Sequence, residues 1–274
     1  MSLNIGILSS AYKAASGGAL LLDTYPGAAA AYSLRKLRSA YTGFCIRVTR
    51  ASDLVQQDIG FVNNVLDLTT LQTFIGSSSG AVNTWYDQSG NSRNATLIGS
   101  LTSNVIISSG TLQTINSLPA INLPNLNIPN FTLNGDLSYF IVQRKIASNR
   151  PGINIGSNLA SGILFSNWSD SNIYFQRSNG TSGFIIGAAD ATTGNQVLNA
   201  FNQSSSMSMY KNNAIYTLSL NTTFSITNSN MQKIGQANGL ASTGLGTEIV
   251  IYTNSQLSNR TGINTNINTY YSIF

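Results

Sequence analysis

From residue 100 onward, the sequence is a succession of short apolar segments separated by Gly, Asn and Ser. Strand-like segments at this spacing, with turn residues between them, are typical of an antiparallel β-sandwich or barrel. We therefore expect an all-β fold, a two-sheet antiparallel jelly-roll sandwich. The strands predicted in this part of the chain are Val105–Ser108, Ala120–Leu123, Leu137–Arg144, Gly162–Phe165, Ile173–Arg177, Gly183–Ile186, Met207–Lys211, Ala214–Leu218 and Glu248–Thr253.

Two short helices are predicted, near residues 27–40 and 258–271. Each segment places apolar side chains three or four residues apart, with polar residues between them. This spacing is typical of an amphipathic helix packed on a sheet. A third helix is predicted to begin after Asp67, which suits the N-cap position, and to end at Phe74.

One turn has a specific chemical signature. Asn212 and Asn213 separate two apolar segments, and Asn tolerates the positive φ that a two-residue hairpin turn requires. The sequence therefore predicts a β-hairpin over residues 210–216.

Charged side chains make up only 8% of the chain, against about 25% in ordinary soluble domains. The 14 basic residues are too scattered to follow a phosphate backbone, so we expect no nucleic-acid binding. The chain has no His, which excludes Ser-His-Asp and Cys-His catalysis and His-ligated zinc. Its single cysteine, Cys45, cannot form an internal disulfide and is expected to be a buried apolar side chain. No cofactor or metal site is predicted.

The sequence shows no recognisable targeting or membrane-spanning segment. No apolar run approaches the roughly 20 residues that a transmembrane helix needs. No N-terminal stretch combines basic residues, an apolar run and a small-residue cleavage site. We therefore expect neither membrane insertion nor export by a signal peptide.

Three stretches of the chain resemble a known family. They are residues 30–43 (AAYSLRKLRSAYTG), residues 46–61, which contain IRVTRASD and QDIGF, and residues 84–95, which contain TWYDQSGN and RNA. Together they resemble the opening of the fungal α-L-arabinofuranosidase B catalytic domain, which is a concanavalin A-like β-sandwich. Uncharacterised tailed-phage proteins have a similar opening, and they also have a C-terminal block that resembles residues 247–274. The resemblance covers about residues 25–100 and the C-terminal block.

The resemblance to arabinofuranosidases implies a Glu and an Asp as nucleophile and acid/base. In a retaining glycosidase these two carboxyl groups lie about 5 to 5.5 Å apart. The chain has one Glu, Glu248, and it lies in the C-terminal block, where the resemblance does not place the nucleophile. Residues 101–246 lack the family's catalytic Glu segment and paired cysteines, and Asp136, Asp170 and Asp190 lie in unmatched loops. We therefore expect that the chain is not an enzyme.

The segment that begins at Trp85 has two interpretations. In the first, Trp85 and Tyr86 anchor a strand in the core. Asp87 and Ser89 then hydrogen-bond the backbone of a tight turn. In the second, one of the two aromatic rings stacks on a sugar, and Asp87 and Asn94 bind its hydroxyl groups. For Trp85 the sequence favours the first.

A loop-to-strand cluster in the middle of the chain is the best candidate for a ligand site. Aromatic faces can stack on sugar rings, while amide and carboxylate groups bind sugar hydroxyls. Trp168 is the expected stacking platform, and ordinary packing is the alternative for the whole cluster. Tyr210 and Tyr216 form a second cluster of this kind. The candidate carbohydrate-binding residues are Trp168, Asp170, Asn172 and Tyr174.

We expect a structural protein of a tailed-phage virion, namely a tail, fibre or capsid-surface component. Its expected role is to recognise host cell-surface polysaccharide during attachment or to decorate the particle. Residues 1–24 are predicted to be an arm that docks on other virion proteins, and residues 25–274 the sandwich domain. A homo-oligomer, such as a trimer, is also expected. The alternative function is a glycoside hydrolase acting on arabinose-containing polysaccharide.

Overall fold

The structure is a computed structural model of the chain. It describes residues 19–122, 125–133, 135–148, 155–156, 163–167, 170–178, 183–203, 206–222, 229–237, 240–241 and 243–274. The helices among them are α1 (Leu21–Thr24), α2 (Leu68–Ile75) and α3 (Arg260–Tyr271).

The remaining secondary structure is β-strand. In chain order the strands are β1 (Ala28–Ser33), β2 (Ile46–Arg50), β3 (Gln56–Ile59), β4 (Phe61–Val62), β5 (Val65–Leu66), β6 (Gly80–Trp85), β7 (Ala95–Leu97), β8 (Val105–Ser108), β9 (Thr111–Leu112), β10 (Thr114–Ile115), β11 (Leu118–Pro119), β12 (Ile121–Asn122), β13 (Leu126–Leu133), β14 (Leu137–Lys145), β15 (Ile155–Gly156), β16 (Ile163–Asn167), β17 (Asn172–Ser178), β18 (Gly183–Ala189), β19 (Gly194–Gln203), β20 (Ser206–Lys211), β21 (Ala214–Ile215), β22 (Leu220–Thr222), β23 (Ser229–Ile234), β24 (Gln236–Ala237), β25 (Leu240–Ala241) and β26 (Leu245–Tyr252). All nine strands predicted after residue 100 are present, with boundaries that shift by a few residues; the predicted ends at Leu123 and Gly162 lie outside the described residues.

The strands form an antiparallel sandwich. In the first sheet β26 lies between β14 and the pair β1 and β12, and β14 is followed by β19, β20 and β21. In the second sheet β2 lies between β3 and β6, β7 joins β6 to β13, and the order continues through β23, β15, β16, β17, β18 and β22. β8 pairs with β6 of the second sheet and with β12 of the first, and so connects the two sheets at one edge. The all-β sandwich predicted from the sequence is confirmed.

Two apolar cores lie on opposite faces of the first sheet. The main core lies between the sheets and takes Tyr139 and Ile141 from β14, and Trp85 and Phe175 from the second sheet. The second core lies between β14, β26 and the helices α1 and α3, and includes Phe140. Strands that are buried on both faces are apolar throughout rather than alternating. This explains the nearly uninterrupted apolar run in β14.

The predicted helix near residues 258–271 is confirmed as α3, whereas the helix predicted near residues 27–40 is wrong. Residues 28–33 form β1, which pairs with β26, and all six are buried. The small alanine side chains fit between the two cores. Their apolar run therefore reflects burial on both faces of a strand rather than the apolar face of a helix. The predicted N-cap is confirmed, because the Asp67 side chain accepts a hydrogen bond from the backbone N–H of Thr70 at 3.0 Å.

The predicted hairpin is confirmed. Asn212 and Asn213 have φ values of 48° and 68°. The flanking pairs are Tyr210 with Ile215 and Lys211 with Ala214. The second strand ends at Ile215, three residues earlier than expected.

Only the last part of the predicted N-terminal arm can be placed. Residues 1–18 lie outside the described residues, and Leu21 and Leu22 are buried in the second core. The docking role of residues 1–24 stays a prediction. No helix in the described ranges is long and apolar enough to cross a membrane.

Candidate functional site

The segment that begins at Trp85 holds the fold together. Trp85 is fully buried and its ring packs 5.9 Å from that of Tyr32. The buried Asp87 carboxylate accepts hydrogen bonds from the backbone N–H groups of Ala31, Ser89 and Arg93, at 2.9 to 3.0 Å. The first interpretation therefore holds for Trp85 and Asp87, which are both buried, whereas Tyr86 is half-buried and lies outside the main core.

Glu248 also has a structural position. Its carboxylate is fully buried and forms two hydrogen bonds with the Arg35 guanidinium, at 2.8 and 3.0 Å. The hydroxyls of Ser33 and Tyr271 donate to the same carboxylate. Burial opposes the charge on Arg35, but Glu248 raises its pKa overall, and burial raises the pKa of Tyr271. With all of these partners, Glu248 is not placed to attack a substrate.

A cluster of charged side chains lies at one end of the main core. Asp190 accepts a hydrogen bond from Lys211 at 2.7 Å, and Lys145 lies 3.3 Å from its other carboxylate oxygen. Lys145 also donates to the backbone carbonyl of Asp190. Thr192 donates to Asp190 at 2.9 Å. The side chains of Lys145 and Asp190 are completely buried, and burial lowers the pKa of Lys145 while Asp190 opposes that shift.

Sequence reasoning missed the lysines of this cluster, although a signal existed. In β14, Lys145 has the same phase as Tyr139 and Ile141, whose side chains face the main core. A lysine in phase with core residues needs a buried partner, because an isolated charge is costly to bury. For Asp190 the sequence predicts only a loop position. Asp190 lies in residues 101–246, where the family resemblance is absent, and its local sequence does not indicate the pairing with Lys145.

Three of the four predicted carbohydrate-binding residues are close together. The Asp170 carboxylate accepts hydrogen bonds from the Tyr174 hydroxyl at 2.5 Å and from the Asn172 backbone N–H at 3.0 Å. Partial burial pushes the pKa of Asp170 upward, but these hydrogen bonds lower it overall. Trp168 lies outside the described residues, so its role as a stacking platform stays a prediction.

This cluster is adjacent to the charged end of the core. The backbone N–H of Asp190 donates to the carbonyl of Ser171, the residue after Asp170, at 2.8 Å. Asn172 pairs with Ala189 across β17 and β18. Asp190 is 2% exposed, whereas Asp170 is exposed. Two carboxylates thus flank one end of the same strand pair, one buried and one facing solvent.

A polar cavity of about 820 Å³ opens elsewhere, between α1, the beginning of β1 and the loop after β6. Two guanidinium groups are part of its wall, so we name it the arginine cavity. Its polar lining residues are Asp23, Arg38, Ser89, Asn91, Arg93 and Thr253.

All nine carboxylates of the chain lie in the described ranges. Each of them interacts with another group, including Asp136, which lies just before β14 at the end opposite Lys145. The described ranges contain no group of three His, Cys, Asp or Glu side chains that could hold a metal ion. The partners are Ser39 for Asp23, Arg50 for Asp53, Arg47 for Asp58, Thr70 for Asp67, the backbone for Asp87, Tyr174 for Asp170, two lysines for Asp190 and Arg35 for Glu248.

Comparison with known proteins finds similarity to arabinofuranosidases. Residues 22–126 match the model of the α-L-arabinofuranosidase B catalytic domain. No curated protein matches the sequence. An arabinofuranosidase complexed with arabinofuranosyl-α-1,2-xylobiose superposes with a TM-score of 0.65 at 13% identity, over 92% of this chain and 64% of that chain. A glutamate-to-glutamine mutant of a GH54 α-L-arabinofuranosidase, soaked with 4-nitrophenyl α-L-arabinofuranoside, gives 0.62 at 11% identity with the same coverage. This chain therefore spans 64% of the length of these proteins.

These matches correct the predicted role. The prediction of a bacteriophage virion, tail or host-attachment protein is wrong, because both the family match and the structural similarity lead to arabinofuranosidases. The matched family model describes a catalytic domain, which also weighs against the expectation that the chain is not an enzyme. The expected homo-oligomer stays a prediction. The chain has the antiparallel β-sandwich fold of arabinofuranosidases, and residues 22–126 resemble their catalytic domain in sequence.

Proposed function

We propose that this chain acts on polysaccharides that carry α-L-arabinofuranosyl groups, as a glycoside hydrolase. The observation that carries the proposal is the match of residues 22–126 to the catalytic-domain family of arabinofuranosidase B. The similar sandwich, which extends over 92% of the chain, supports it because the matched segment lies within the same architecture.

Hydrolysis with two carboxyl groups needs an ionised carboxylate close to a proton donor. Asp190 and Asp170 are the best pair in this chain, because a single hydrogen bond connects the backbone of Asp190 to the residue after Asp170. Asp190 would be the nucleophile, but its side chain is buried and paired with Lys145 and Lys211, so a sugar would reach it only after this end of the strand pair opens. Asp170 is exposed and would donate the proton.

Recognition of the same polysaccharide without hydrolysis is the second candidate. The hydrogen bonds from Tyr174 and Asn172 lower the pKa of Asp170, whereas a proton donor at neutral pH needs a raised pKa. Asp190 is held by Lys145 and Lys211, and little of it is exposed. A protein with this arrangement would keep the sugar-binding surface without the chemistry.

The test is the release of arabinose from branched arabinan. We expect release by the wild type and a loss of roughly 100-fold or more in Asp170→Asn, since a positioned acid contributes about 10² to 10⁴. Asp53→Asn is the matched control, because Asp53 is an exposed carboxylate that pairs with Arg50 in another part of the fold. It should leave the rate unchanged.

Binding to the same arabinan, measured by affinity electrophoresis, separates the two candidates. Binding by the wild type without release of arabinose would favour recognition without hydrolysis. Neither binding nor release would refute both candidates.

A further inference from the structure

Arg38 in the arginine cavity has no carboxylate partner in the described ranges, unlike three other arginines of the chain. Arg35, Arg47 and Arg50 each hold a carboxylate through two hydrogen bonds. Arg38 is half-buried, and the only hydrogen bond of its guanidinium in the described ranges runs from Nη1 to the Ser89 carbonyl at 3.2 Å. Its Nε and Nη2 groups therefore remain available to a ligand.

The backbone around Arg38 fixes its position. The backbone N–H of the preceding residue, Leu37, donates to the Gln88 side chain at 2.8 Å. Gly90 has a φ of +96°, and a Cβ on it would lie 2.7 Å from Nη1 of Arg38. The loop therefore makes room for the guanidinium and accepts a hydrogen bond from it. A preorganised guanidinium binds a ligand at a lower entropic cost than a free one.

The other side of the arginine cavity adds a second cation and acceptors. Arg93 donates from Nη1 to the Ala29 carbonyl at 2.5 Å. Asn91 uses its Nδ2 for the carbonyls of Ala28 and Ala29, which leaves its Oδ1 as an acceptor. Asp23 is the one carboxylate in the lining. Two guanidiniums and one carboxylate give the lining a net charge of +1.

We propose that the arginine cavity binds the carboxylate of a uronic acid unit, with Arg38 as its bidentate partner. The inference rests on the proposed function for the general class of ligand, a polysaccharide. A planar guanidinium matches a carboxylate with two parallel N–H···O bonds, which a neutral sugar cannot form. A net charge of +1 suits a singly charged anion better than a phosphate. The volume of about 820 Å³ lies in the range of ligand pockets, about 300–1,000 Å³.

The test compares two sugars that differ only at C6, methyl β-D-glucuronide and methyl β-D-glucoside. Binding is followed by NMR titration of the full chain. We expect the wild type to bind the glucuronide about tenfold more tightly or better, because charge-assisted bidentate bonds are about twice as strong as neutral ones. In Arg38→Gln this preference should fall to about one. Arg144→Gln is the matched control, since Arg144 is exposed on β14 and is not part of the lining.

Arg38→Lys separates charge from geometry. Lysine keeps the positive charge but lacks the planar fork, so it should retain only part of the preference. Equal binding of the two glycosides, binding of neither, or a preference that survives Arg38→Gln would refute the proposal. A preference for the glucuronide together with no action on arabinan would refute the arabinofuranosyl function alone. Action on arabinan with equal binding of the two glycosides would refute only the uronate site.

Discussion

Glu248→Gln should destabilise the fold strongly. Glu248 is fully buried, and it neutralises the Arg35 guanidinium, whose side chain is only 7% exposed. The substitution keeps the size of the side chain but leaves a buried cation without a counter-ion. Breaking a buried pair from one side costs about 3 to 5 kcal/mol. Since the carboxylate also accepts bonds from Ser33 and Tyr271, we expect a value of about 4 kcal/mol.

The assay is urea unfolding followed by tryptophan fluorescence, since Trp85 lies in the main core. Asp53→Asn serves as the control, because the Arg50–Asp53 pair is exposed and should contribute nothing measurable. The double variant Arg35→Leu with Glu248→Leu should lose less free energy of unfolding than Glu248→Gln alone, because it removes both charges. A loss below about 1 kcal/mol in Glu248→Gln would refute the argument.

Three further predictions concern stability and reactivity. Asp67→Ala should lower the free energy of unfolding by about 1 kcal/mol, because the N-cap bond to Thr70 is lost, and urea unfolding measures it. Burial raises the pKa of the Cys45 thiol well above its ordinary value, so its thiolate fraction at pH 8 is reduced. Iodoacetamide should therefore label Cys45 only after unfolding, and fast labelling of the native protein would contradict this. Trp85→Ala should cost about 3 to 5 kcal/mol by emptying a fully buried site, and a loss under about 1 kcal/mol would contradict its core position.

The sequence was informative wherever one local pattern decided the structure. The Asn212-Asn213 turn, the Asp67 cap and the apolar face of α3 each depend on residues close together in the chain. No local pattern of this kind predicts the strand β1. Its alanines lie between two cores, and the partners that bury them come from β26, more than 200 residues later.

The candidate site was predictable only in part, for the same reason. Asp170, Asn172 and Tyr174 are near neighbours in the chain, and their hydrogen bonds are local. The pairing of Lys145 with Asp190 spans 45 residues and depends on the register of β14 and β19. Side-chain chemistry gives the type of partner that a buried lysine needs, but only the topology identifies which one it is.

The scarcity of charge limits what this surface can bind. Asn, Ser and Thr side chains both donate and accept hydrogen bonds, as sugar hydroxyls do, so a surface rich in them suits neutral glycans. An anionic unit in such a glycan needs one of the few charged groups. Lys145 and Lys211 are committed to Asp190, and Arg35 is committed to Glu248. Arg38 keeps donors available in a cavity that can admit a ligand, so it should discriminate an acidic sugar from its neutral analogue.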